Sequence, residues 1–252
     1  MRASAPKQLL ATVAAFCRKM MDGTFKQTAG IMDLHSDFTQ RVLIHSAEMP
    51  WQRSPSAGVN RRMLDRIGGE VARATTIVRF APGHSFSAHT HGGGEEYIVL
   101  EGVFQDEHGD YPSGTYVRNP PTSRHTPRSD AGCTILVKLW QFDADDRNQF
   151  SKDMAEGLVS VGDGLRSAEL HRDAREAVSY FDIDPDAELH VDAPGGIEVY
   201  VLSGSLVESG DHLRHGSWLR LPEGQVFAGA ADDEGATLWM KTGHLRFVAA
   251  PA

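Results

Sequence analysis

The chain has 252 residues, 40% hydrophobic and 23% charged, with a formal net charge of −9 and a pI near 5.7. That is enough apolar material for one large domain or two ordinary ones, and an acidic surface argues against nucleic acid and anionic membrane as main partners. Two cysteines, Cys17 and Cys133, without a Cys-x-x-Cys pair argue against a zinc knuckle and a disulfide scaffold, and fit a reducing compartment, most simply the cytoplasm.

At the N-terminus, Leu9, Leu10, Val13, Phe16, Cys17, Met20 and Met21 form a helical stripe. It predicts an amphipathic helix over 5–21, within a short helical extension covering 1–31. Arg18 and Lys19 follow the apolar stretch at once, which disfavours a signal peptide. Met32 begins a segment, Met-Asp-Leu-His-Ser-Asp-Phe, that reads like the head of a domain. No apolar run approaches the roughly 18 residues of a membrane span.

Beyond residue 40 the texture changes. Short Val-, Ile-, Leu-, Tyr- and Phe-rich segments alternate with Gly, Pro, Asp and Ser clusters about every ten residues, as in all-β barrels and sandwiches. Predicted strands include Thr75–Phe80, Tyr97–Phe104, Thr115–Arg118 and Thr134–Phe142. The stretch Glu156–Glu176 reads as a helical turn or a loop, and the boundary between two units falls near 145–175.

The two units repeat. Residues 89–125 align with 191–227 at a constant offset of 102, which superposes Gly94 on Gly196, Gly102 on Gly204, Gly114 on Gly216 and Pro120 on Pro222. Thr134–Lys138 matches Thr237–Lys241 at an offset of 103. Glycine and proline mark special backbone positions, so shared punctuation implies one β-domain present twice. The division is 32–150 and 151–252.

The first copy carries the chemistry. His89 and His91 lie two apart on a strand and project to one face. Three glycines then allow a turn that brings Glu95 back to the same point, and the Gly114–His125 segment supplies a third imidazole, His125. Three imidazoles and a carboxylate suit one divalent ion: Fe(II) or Zn(II) first, with Mn(II), Ni(II) and Cu(II) also compatible. Four protein ligands on an ion that can take five or six leave room for a substrate, a catalytic type of site; a closed zinc tetrahedron would instead be structural. Tyr97 shares the parity of Glu95, so its phenol is a candidate to face the cavity and orient a ligand. The alternative is an ordinary barrel-filling aromatic. His84 and His108 read as solvated turn residues and Cys133 as a small buried one.

In the second copy every ligand position is apolar: Val191, Ala193, Ile197 and Phe227. These residues suit a barrel that fills its centre instead of holding metal. His190 and Glu198 are one residue out of register, and Glu198 corresponds to Glu96. Lys138 recurs as Lys241 in the metal-free copy, which favours a structural role with the ammonium at the barrel rim.

The run from Gly83 through His89, His91 and Glu95 to Gly102 matches G-x5-H-x-H-x3-E-x6-G, the first cupin motif, at every fixed position. The second motif is met at Gly114, Pro120 and His125, and departs from the pattern at Thr122 and Ser129. The wider wording, from Arg61-Arg-Met-Leu-Asp-Arg-Ile-Gly-Gly to Val-Arg-Asn-Pro-Pro, resembles the ChrR-like cupins, strongly over 32–145 and weakly over 170–248. The resemblance implies two tandem double-stranded β-helix barrels, with the metal inside the first. It implies a dioxygenase-type enzyme acting on a small diketone or phenolic ketone, or else a non-catalytic regulatory or ligand-binding module. ChrR-type anti-sigma factors also carry a zinc domain with a Cys-x-x-Cys pair, which this sequence lacks, so a sigma factor is not expected as a partner. A homodimer is expected by resemblance.

Overall fold

The computed structural model describes residues 32–69 and 71–251, so the predicted helix over 5–21 lies outside it. Among the described residues the regular structure is β-strand, apart from two short 3-10 turns at Ser46–Glu48 and His244–Phe247. Two large antiparallel sheets carry most of it, beside a separate two-stranded one. One runs Phe150–Asp153, Thr115–Asn119, Glu95–Asp106, Cys133–Leu139, Ala72–Phe80, Val59–Gly68, Gln52–Arg53. The other runs Val42–His45, Ser217–Leu221, Ile197–Glu208, Val226–Thr242, Ala177–Ile183, Leu165–Arg172, Val159–Gly162. The expected all-β architecture of two barrels is present. The Glu156–Glu176 stretch differs from expectation. It forms the strands Val159–Gly162 and Leu165–Arg172, because Gly164 sits at the hairpin turn between them rather than breaking a helix.

The repeat holds at the level of hydrogen-bonded register. Glu95 faces Asn119 and Glu96 faces Arg118 in the first sheet; Ile197 faces Leu221 and Glu198 faces Arg220 in the second. Gly102 and Gly204 both have positive φ, and a Cβ on either would lie within 2.1 Å of a carbonyl oxygen on the adjacent strand. Only glycine permits that approach. The outermost strands are exchanged between the halves. Phe150–Asp153 pairs with Thr115–Asn119, whereas Val42–His45 crosses to pair with Ser217–Leu221. The halves are laced together rather than parted at one point in the chain.

Strand alternation sorts the side chains into three cores. Tyr97, Val99, Val117 and Val137 fill the first barrel, and Ile197, Val199, Leu219 and Phe227 fill the second. The opposite strand faces, with Ile98, Tyr116, Leu136, Tyr200, Trp218 and Trp239, meet between the barrels. Glu96 and Glu198 share the parity of Ile98 and Tyr200, so they point into this central layer. There Lys138 donates to both oxygens of Glu198 at 2.7 and 2.6 Å, and Lys241 bonds Glu96 and lies 2.8 Å from Glu176. Each lysine thus reaches the glutamate of the other half. Lys138 is structural, as the repeat suggested, but its ammonium is 1% exposed rather than at the rim. Only a carboxylate from the facing barrel makes that burial tolerable.

Candidate metal centre

Two short strands, His89–Thr90 and Arg124–His125, pair so that His89 lies directly opposite His125. The ladder continues through His91, whose amide donates to the Ser123 carbonyl and whose own carbonyl accepts from the Thr122 amide, both at 2.9 Å. Glu95 opens the long strand that follows. The glycine run between them serves packing more than turning. Of the three only Gly94 has positive φ, while a Cβ on Gly92 or Gly93 would lie 2.8 or 2.3 Å from the Trp140 ring. The indole presses on the backbone that links His91 to Glu95.

The four predicted ligand side chains come together, with one donor atom of each within 4.8 Å of the others. Glu95 Oε1 lies 3.5 Å from Nε2 of both His91 and His125. Such separations suit donors sharing one ion with bonds of about 2.1 Å. They are too long for hydrogen bonds, and both Nε2 atoms are buried without a partner. Buried polar atoms left unpaired are costly, and a cation between them removes the cost.

The other ring nitrogens fix the tautomers. His89 Nδ1 meets the Ser87 carbonyl at 3.0 Å, and His125 Nδ1 meets Asp106 Oδ2 at 3.0 Å. Both partners are acceptors, so each Nδ1 carries the proton. His91 Nδ1 lies 2.9 Å from Ser123 Oγ, whose hydroxyl donates to the Pro120 carbonyl at 2.6 Å. That hydroxyl therefore accepts from His91. All three imidazoles present an Nε2 lone pair toward Glu95, the form a metal requires. Burial pushes the His91 pKa down, which favours the neutral ring. Burial works the same way on His125, but the Asp106 hydrogen bond and the Glu95 charge outweigh it and raise that pKa.

Sequence reasoning missed Asp106 and Ser123. Asp106 sits in a hairpin turn, where it also accepts from the His108 and Gly109 amides. Such an Asx turn is common, and nothing local signals the contact with His125. Thr122, one of the two departures from the second motif, has φ +77, and Gly224 at the matching place has φ +78. The first copy thus keeps a β-branched residue in left-handed backbone beside Ser123, a strained arrangement next to the ligands. Replacing Ser123 with alanine removes the acceptor that orients His91. We expect about a 10- to 100-fold weaker metal affinity, measured by competition with a chromogenic chelator, and an unaltered Kd would show that Ser123 does not orient the ligand.

Tyr97 is fully buried and packs on Phe104 at 4.6 Å, with a hydroxyl that lacks a partner. Burial and the Glu95 charge push its pKa well above the ordinary value, so it stays protonated. A cavity of about 610 Å³ opens over the ligands, lined by His89, His91 and Glu95 with Phe80, Phe86, Phe104 and Trp140 among its walls; Tyr97 does not line it. His84 is half-buried in a two-residue strand, and His108 lies in a turn. A second acidic grouping, His171, Asp173 and Glu176, is already neutralised, because Glu176 accepts from Arg118 and pairs with Lys241.

The sequence matches the ChrR Cupin-like domain over residues 39–143 and again over 153–246. The chain belongs to this ChrR cupin-like family. No curated protein matches it in sequence. Its fold is similar to that of a candidate dioxygenase from Nostoc punctiforme, at 14% identity and TM-score 0.63, covering 85% of this chain and 87% of the other. It also resembles the Escherichia coli pirin YhhW in complex with nickel(II), at 13% identity and TM-score 0.59, covering 81% and 99%. A third is a variant of the Bacillus subtilis oxalate decarboxylase OxdC, at 13% and 0.56, covering 80% and 76%. At such identities the likeness is one of fold.

This ChrR cupin-like chain is asymmetric within its fold. Val191 stands opposite Phe227 as His89 stands opposite His125. Ile197 and Phe227 are 0% exposed and belong, with Ala193, to the second barrel's core. His190 is exposed near Glu188, facing away from that core, as its register required.

Proposed function

We propose that this ChrR cupin-like chain is a mononuclear metal-dependent enzyme of the dioxygenase type, acting on a small diketone or phenolic ketone. The observation that carries the reading is the pair of buried, unpartnered Nε2 atoms beside Glu95 at the base of an apolar cavity. His89, His91, Glu95 and His125 would hold the ion. An Fe(II) ion there would polarise the substrate oxygens and exchange electrons with dioxygen, whereas Zn(II) would supply the polarisation alone. The protein's part is positional. Fixed Nδ1 bonds hold the three lone pairs in place, and the Glu95 carboxylate supplies the negative charge. His89 is the exposed ligand, so the substrate approaches on its side. Phenyl and aliphatic walls exclude water and favour a compact, largely apolar molecule. No helix among the described residues is long and apolar enough to cross a membrane. A cytoplasmic location accords with the unpaired, buried Cys133.

The test is elemental analysis of anaerobically purified protein, followed by oxygen uptake with Fe(II)-loaded and Zn(II)-loaded samples across diketones and phenolic ketones. Iron-dependent uptake in proportion to substrate consumed is expected. Absence of turnover with every metal would leave the non-catalytic regulatory or ligand-binding role that the ChrR family name suggests.

A further inference from the structure

Among the described residues that line the cavity, Arg66 is the one permanently charged side chain besides the ligands. Strand register places it. Glu95 is opposite Leu139, Leu139 is opposite Ala74, and Ala74 is opposite Arg66. These four residues form one row across adjacent strands. Three interstrand steps of about 4.8 Å put the Arg66 backbone roughly 14 Å along the barrel wall from Glu95. Arg66, Leu139 and Glu95 all line the same cavity, so its space joins the two ends of the row.

Two arginines of the central layer are matched by carboxylates. Arg118 is bonded to Glu176 and Asp146, and Arg220 to Asp65. Arg66 is different. Its Nε donates to the Gly68 carbonyl at 3.3 Å and its Nη2 to the Gly69 carbonyl, both neutral acceptors. Among the described residues it makes no ion pair. Burial, and then the charge of Arg61, lower its pKa. A partly desolvated guanidinium held by carbonyls of its own turn keeps donors for an anion.

We propose that Arg66 is the specificity-determining residue of the cavity, and that the substrate is an oxo acid whose carboxylate pairs with Arg66 while its ketone oxygens face the histidines. The proposal rests on the metal-dependent reading above. It narrows the diketone class to molecules with an anionic end separated from the chelating end by a short apolar spacer.

The test compares 4,6-dioxoheptanoate with its neutral methyl ester, titrated calorimetrically into metal-loaded protein whose metal content is measured before and after. Wild type is expected to bind the acid at least about tenfold more tightly, the effect of one charge-assisted contact. Arg66→Gln should erase that preference with unchanged metal content and ester affinity. Arg66→Lys should retain part of it, and the preference should shrink as salt is added. A merely structural arginine would affect both probes alike. Equal binding of acid and ester by wild type overturns the role of Arg66 while leaving the metal-dependent reading intact, and this comparison needs no variant. Failure of the loaded protein to bind either probe overturns both.

Discussion

Replacing His91 with alanine is expected to cost the protein more than about a hundredfold in metal affinity. The reasoning starts from magnitudes. Disturbing only the partner that orients a ligand typically costs 10- to 100-fold, so losing the ligand itself costs more. His91 Nε2 is buried with no partner and lies 3.5 Å from Glu95 Oε1, and its Nδ1 is committed to Ser123. No neighbouring side chain duplicates it, since Thr90 and Gly92 flank it in sequence. Elemental analysis after dialysis should show metal in wild type and little in the variant. Thermal unfolding gives a second reading. A ligand that binds only the folded state raises Tm, so EDTA should lower the wild-type Tm and leave that of the variant nearly unmoved. Full occupancy in the variant would refute the ligand assignment. The converse change, Val191→His, should create no second site, because Ala193, Ile197 and Phe227 still supply no donor.

Much of this site is legible in sequence because its logic is local. His89 and His91 share a strand face, Glu95 follows three glycines, and His125 sits at a fixed distance from Gly114 and Pro120. The repeat is legible for the same reason: glycine at positions such as 102 and 204 is dictated by a close backbone approach that recurs in both copies. What escapes is contact between segments whose spacing carries no signal. Lys241 meets Glu96 across 145 residues, and Lys138 meets Glu198 across 60. Parity shows that these groups leave the barrel interior, but not that a second barrel receives them, and so sequence alone places the Lys138 ammonium at a rim. Asp106 and Ser123 are equally silent, being ordinary turn residues until the fold sets them beside imidazoles. The exchanged outer strands have no sequence signature either, because a four-residue strand such as Val42–His45 is too short to show a pattern that names its partner.

The central layer predicts an effect as large as the metal site does. Glu198→Ala is expected to destabilise the fold by about 3–5 kcal/mol, the range for breaking one partner of a buried ion pair. Glu198 accepts from Lys138, from Trp218 Nε1 at 2.7 Å and from His244 at 3.0 Å, and is 0% exposed. Its loss strands a buried ammonium whose remaining partner is the Thr75 hydroxyl. Glu96→Ala should cost less, because Lys241 still has Glu176. Equal losses in urea denaturation would contradict this ordering. The layer also sets the acid limb of stability. Burial alone would raise both glutamates, but Lys138 and His244 hold Glu198 well below the usual range, and Lys241 with Arg118 holds Glu96 at about 2. Their contribution is complete above the ordinary carboxylate pKa and is lost as pH falls toward these depressed values. His244 acts earlier. Burial lowers it to about 4, so between pH 6.5 and 4 the unfolded chain binds a proton that the folded chain refuses. Stability should therefore fall with decreasing pH across that interval, by up to about 1.4 kcal/mol per pH unit for this one proton. Replacing His244 with asparagine should reduce that slope between pH 6.5 and 4 while leaving the carboxylate limb below it, because among the central-layer groups the imidazole has the highest unfolded-state pKa in this range.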